Sequence, residues 1–110
     1  MSQRRETCIA ENESHFREIN DRLESELRTL PEDGETVDFV CECGRPDCRE
    51  PVSVTLADYE RVRQDPRMFI IVAGHEIDDV EDVVKERDSF YVVQKKGHSA
   101  AVAEELDPRS

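Results

Sequence analysis

The sequence predicts a small α+β fold: a long N-terminal amphipathic helix, then a small, mainly antiparallel sheet that carries a short helix. Three observations lead there. From Thr7 to Leu30 there is neither Gly nor Pro, and strong helix formers dominate. Between Thr36 and Lys95, short runs rich in Val, Ile and Phe alternate with turn residues, the pattern of strands. Three of the four cysteines then crowd into positions 41–48, at the head of that second region. A chain of 110 residues is one domain, here read as residues 1–110 with the helix at about 7–30 and the α+β part at 36–106.

Charged residues make up 38% of the chain and apolar ones 36%, so the available core is modest, and a domain of this size often needs a staple or a partner. The net charge is 15 − 27 = −12. A surface that acidic repels phosphate backbones and anionic lipid, which argues against nucleic acid or membrane as direct partners and favours protein. Aromatic residues, at 5%, do not interleave with any basic patch. No apolar run approaches the roughly 20 residues that span a bilayer. The basic Arg4-Arg5 pair is not followed by the apolar stretch of a signal peptide, so the expected location is the cytoplasm.

In the helix, Ile9, Phe16, Leu23 and Leu30 recur every seven residues, and Ile19 and Leu27 widen the stripe. Pro31 and Gly34 end it. Such a stripe either lies on the rest of the domain or forms a seam to a second copy or another protein, through Phe16, Ile19 and Leu23. Asn12 and Glu26 fall where a coiled-coil seam would want apolar residues, so the heptad is imperfect.

The second region begins with an alternating strand, Thr36 to Cys43, whose Val37, Phe39, Cys41 and Cys43 share one face. Gly44-Arg45-Pro46-Asp47 reads as a turn. A short extended piece at 52–54 leads to Thr55, an N-cap with Asp58 three residues on, and to a helix from Leu56 to about Gln64 that Asp65-Pro66 closes. The continuous apolar run Met68 to Ala73 suits a buried central strand, and Gly74-His75-Glu76 interrupts it. Residues 77–86 are ambiguous: Ile77, Val80, Val83 and Val84 fit a helical stripe, but the valines favour extended structure. The preferred reading is a hairpin of 82–86 with 90–95 turning at Arg87-Asp88-Ser89, and a last short helix is expected at 100–105.

Side chains two apart on a strand point the same way, so Cys41 and Cys43 can both reach one ion, and the Gly-containing turn returns Cys48 to them. Gly44 can take a positive φ there, and Arg45 and Arg49 would offset the charge of three thiolates. In a reducing compartment such a cluster points to a metal rather than to lasting disulfides, and zinc favours a closed tetrahedral set of sulfur and nitrogen donors. The fourth donor is expected to be His75, which follows a Gly at the end of the most apolar strand and reaches the cluster if that strand neighbours the cysteine strand. Cys8, His15 and His98 are the other candidates. The plainer alternatives are buried unliganded cysteines, a Cys43–Cys48 disulfide, or a turn histidine bonded to backbone.

The stretch Phe16-Arg17-Glu18-Ile19-Asn20-Asp21-Arg22, the Cys-x-Cys-x4-Cys cluster, Tyr59-Glu60-Arg61-Val62-Arg63 with Asp65-Pro66, and Gly74-His75-Glu76 together resemble a family of short uncharacterised bacterial proteins. The likeness runs from about Glu11 to Arg109, and Ala73 stands where the family usually has Pro. The resemblance implies that His75 belongs with the cysteines. It implies no activity.

No phosphate-binding glycine loop is present, His75-Glu76 lacks the second histidine of a metalloprotease helix, and the zinc-deaminase pattern is absent. The expected function is a zinc-stapled protein-interaction module with a regulatory or adaptor role, without catalytic residues. The alternatives are a thiol redox sensor that releases zinc on oxidation and a small hydrolase with an open zinc position.

Overall fold

The computed structural model describes residues 3–27, 35–45, 47–87 and 89–107. In chain order these form α1 (Gln3–Leu27), β1 (Thr36–Val40), β2 (Pro51–Thr55), α2 (Leu56–Arg63), β3 (Met68–Ile71), β4 (Glu81–Glu86), β5 (Tyr91–Lys95) and α3 (Gly97–Glu105). The α+β class is as expected, but the strands divide into two antiparallel sheets, β1-β2 and β3-β5-β4. The expected pause after Leu30 lies outside the described residues.

The local signals act as their chemistry requires. Thr55 caps α2, its Oγ1 accepting the Asp58 N–H at 3.1 Å. Arg87 N–H donates to the Phe90 carbonyl at 2.9 Å, closing the β4–β5 hairpin. α3 starts three residues earlier than composition suggests, because Gly97 adopts φ +64° and the Ser99 hydroxyl donates to the Lys96 and Val80 carbonyls.

The run at 68–71 is buried as expected, yet β5 and not β3 is the central strand of its sheet. The outer edge of β3 is covered by the chain leaving β1. Cys41 N–H still donates to the Glu50 carbonyl in the β1–β2 ladder direction, while Glu42 N–H turns the other way and donates to the Ile70 carbonyl at 2.8 Å. The Glu42 carboxylate accepts the Ile70 N–H at 3.0 Å, replacing the missing strand partner. One residue thus ties the two sheets together and brings the cysteine strand beside the His75 strand.

The helix packs on its own domain through a face that takes in part of the apolar stripe and extends beyond it into polar residues. Ile9 and Phe16 are buried, Leu23 is half-buried, and Ile19 stands 38% exposed. Between them Glu13, Arg17, Asn20 and Glu24 are buried instead. Those four positions recur at three- and four-residue spacing, so they form a helical face of their own. Its partners are polar. Arg17 donates to the carbonyls of Pro66 and Ala103 and lies over the Phe69 ring, 4.3 Å from its centre. Asn20 pairs with the Val40 backbone in both directions and with Glu42. Asp21 accepts from Arg63 at 2.8 Å and from the Tyr59 hydroxyl at 2.8 Å. No helix among the described residues is long and apolar enough to cross a membrane.

Candidate metal centre

Three segments converge on one point between α1 and the two sheets. Cys41 and Cys43 come from the chain leaving β1. Cys48 comes from the end of the following turn, where its N–H donates to the Arg45 carbonyl at 3.2 Å. His75 comes from the turn after β3, shaped by Gly74 at φ +92° and by the His75 N–H donating to the Val72 carbonyl at 3.0 Å. The donor atoms of Cys41, Cys43, Cys48 and His75 lie within 4.8 Å of one another, and this group could hold a metal ion.

The histidine is oriented for that. Its Nδ1 faces the sulfurs, 3.5 Å from Cys41 Sγ and 3.7 Å from Cys48 Sγ, while Nε2 faces a Glu50 carboxylate oxygen at 3.3 Å. A carboxylate on the far nitrogen fixes the ring and its tautomer and makes the near nitrogen a better donor. The sulfurs have backbone support as well: Val72 N–H donates to Cys41 Sγ at 3.2 Å, and the amides of residues 45 and 50 serve Cys43 and Cys48.

These surroundings grade the thiols. Cys43 is pulled down to about 5, chiefly because the Cys41 thiol donates to it, with burial opposing and the amide and imidazole contacts assisting. Cys41, which gives that hydrogen bond and is buried, is held well above the ordinary thiol range. Burial raises Cys48 too. A cation entering the group therefore meets one ready thiolate and displaces protons from the other two, so its affinity falls as pH falls.

Gly44 fits the site by closeness and not by conformation. Positive φ among the described residues occurs only at Gly74 and Gly97, so the expected left-handed turn at Gly44 is not used. A Cβ on Gly44 would sit 2.6 Å from Ile9 Cγ2 and 3.1 Å from Ile77 Cδ1. The helix presses directly on the turn, and Asn12 holds it there by donating to the Gly44 carbonyl at 3.2 Å.

Of the other candidates, Cys8 is exposed and free, His98 Nε2 pairs with Thr7 Oγ1 at 2.9 Å, and His15 lies exposed beside Phe16; none joins the group. No disulfide joins the described cysteines. Arg49 is placed by the Cys48 carbonyl, to which it donates at 2.7 Å, and by the Phe16 ring 5.2 Å away. Glu50 was missed from the sequence, and in a chain with 27 acidic residues its type carries no signal. Its position two residues past Cys48 was the available hint.

Comparison with protein families, with curated proteins and with solved structures finds no match to this chain. The functional reading therefore stands on the geometry.

Proposed function

We propose that Cys41, Cys43, Cys48 and His75 hold one zinc ion as a structural staple, in a protein-interaction module with a regulatory or adaptor role. The observation that carries the reading is the meeting of three sulfurs and one imidazole nitrogen from three separate segments. A tetrahedral zinc with bonds of about 2.3 Å to sulfur and 2.0–2.1 Å to nitrogen sets its N···S separations at about 3.6 Å. The His75 Nδ1 distances, 3.5 and 3.7 Å, match that spacing. Four protein donors make the closed, structural type of site, which speaks against the open-site hydrolase. An ion here would join the β1–β2 sheet and the β3–β5–β4 sheet at one point, as a staple must.

The interaction role rests on what the domain leaves outside. Ile19, 38% exposed, projects from α1 on a strongly acidic chain. A second copy or a protein with a basic rim around an apolar patch suits that surface. Protein purified without chelator should carry about one zinc per chain, and cobalt substituted for it should give the absorption of a tetrahedral thiolate site. A substoichiometric trace in wild type sinks the metal reading. Light scattering of wild type against Ile19→Asp tests the helix separately: loss of dimer or partner with fold and zinc intact supports it, and a wild type that binds nothing through this face removes it.

One observation favours the redox reading as a second possibility. Cys48 and His75 border a shallow groove of about 230 Å³ that also touches Arg45 and Arg49. Hydrogen peroxide entering there would take two electrons from the Cys43 and Cys48 thiolates and two protons from solvent, forming the Cys43–Cys48 disulfide and two waters and expelling zinc. Rapid zinc release on mild peroxide treatment would favour the sensor, and resistance the staple.

A further inference from the structure

A separate cavity, lined by none of the cysteines nor by His75, lies against α2. α2, β3 and the β4–β5 hairpin enclose a cavity of about 150 Å³. Its walls are Val62, Met68, Phe90 and Val92. Its mouth carries Arg61, Lys85 and Arg87 against one carboxylate, Asp58, which Arg61 already neutralises at 2.9 Å. On a chain of net charge −12, three cations around one apolar cavity are a local reversal of sign. Lys85 and Arg87 are exposed and line the mouth, and among the described residues their side chains make no hydrogen bond or ion pair.

The backbone supplies an independent observation. β4 pairs with β5 through Val83↔Val93, and the next pair is Lys85↔Val92, because the register slips between Val83 and Lys85. In a regular ladder Val84 would stand opposite Val92 and Lys85 opposite Tyr91, on the other face. The bulge moves Lys85 to the cavity face and leaves Val84 40% exposed. A bulge of this kind re-aims a side chain. Here the strand leaves a valine in solvent and sets a lysine beside an apolar cavity, the opposite of what packing alone favours.

The geometry points to a binding site for a small aromatic carboxylate, its ring in the cavity between Phe90 and Met68 and its carboxylate at Lys85 and Arg87. The size fits, since an apolar cavity of about 150 Å³ accepts a benzene-sized ring. The charge fits, since among the described residues the mouth offers Lys85 and Arg87 and its one carboxylate, Asp58, is paired with Arg61. The site is independent of the metal reading.

Phenylacetate titrated into the full-length, zinc-loaded chain and followed by amide chemical shifts tests this. Saturable shifts are expected at Arg61, Lys85, Phe90 and Val92, with a midpoint near a millimolar concentration, typical for about ten ligand atoms. Neutral phenylacetamide and ring-less acetate should each bind at least tenfold more weakly. Lys85 is exposed, so Lys85→Glu should keep the melting temperature and raise the Kd at least tenfold. Shifts that do not saturate or that fall elsewhere overturn the assignment, and so does equal binding of the amide or acetate. Unchanged affinity in Lys85→Glu overturns it as well.

Discussion

The cysteine group beside β3 and the seam beneath α1 both bury ionisable groups, but they balance charge by different means. The cysteine group gathers donors of one sign, so without a cation Cys41 and Cys48 keep their protons, and with three thiolates the balance would come from a metal ion that the group could hold. The seam contains its own compensation. Arg63, fully buried, lies between Asp21 at 2.8 Å and Asp107 at 2.7 Å. Burial works against that guanidinium, yet the two carboxylates outweigh it and hold it above its ordinary range. Lys95 likewise lies between Glu13 at 2.6 Å and Glu81 at 2.8 Å, all three buried. On the proposed reading the first region depends on supply of a metal, and the second on simultaneous folding of distant segments. Breaking each should give a different signature.

The largest effect is expected at the cysteines. Cys43→Ser removes the readiest thiolate, and a structural zinc contributes about 10–16 kcal/mol of apparent binding energy, as much as a whole domain's stability. Zinc content should fall to a trace and the cooperative melting transition should disappear. Full zinc with an unchanged melting curve would show that the group is not the site.

The seam should respond next, without loss of metal. Arg63→Met removes the cation between the Asp21 and Asp107 carboxylates and should cost about 3–5 kcal/mol in urea unfolding of the zinc-loaded protein. Adding Asp21→Asn and Asp107→Asn to the same chain should restore most of that, because the cost is the orphaned charge and not the missing side chain. If the triple variant is no better than the single, the seam acts by packing and the contrast with the metal group weakens.

A smaller effect separates the site from its support. Glu50→Gln should weaken zinc affinity by roughly tenfold in chelator competition, the usual weight of a carboxylate behind a ligand histidine. His15→Ala and His98→Ala should leave zinc affinity unchanged. A large effect at either would move the fourth ligand away from His75.

The smallest is a pH dependence. Burial, then the neighbouring Glu81, raise Glu13 well above its ordinary value of 4.5, with Lys95 opposing. A carboxyl raised in the folded state binds its proton more tightly there than in the unfolded chain. The stability it contributes is complete below the unfolded value and is lost as pH rises through the folded one. Above about pH 4.5 the wild type should therefore lose stability relative to Glu13→Gln. Parallel pH profiles for the two proteins would place Glu13 outside the seam's titration.

The cysteine group and the seam also differ in how much of them could be read beforehand. Cys41, Cys43 and Cys48 announce themselves because three donors of a rare type fall within eight residues. His75 needed one further assumption, that its strand neighbours the cysteine strand, and Glu42 is the residue that makes it so. The seam gave no such warning. Asp21 and Arg63 are 42 residues apart and Arg63 and Asp107 are 44, and each reads locally as an ordinary solvated charge. The heptad Ile9, Phe16, Leu23 drew attention to a neighbouring stripe, and only two of its three residues are buried.

What the sequence determined by itself is what short-range chemistry controls: the helix and strand periods, the Thr55 cap, the Asp65-Pro66 stop, the hairpin and the local cysteine spacing. Tertiary structure decided the division into two sheets, which face of α1 lies inside, the bulge that turns Lys85, and the Gly44 contact with Ile9. The reason is that a charge or a glycine carries no mark of its distant partner. Its meaning depends on the field and the space that other segments create around it once the chain has closed.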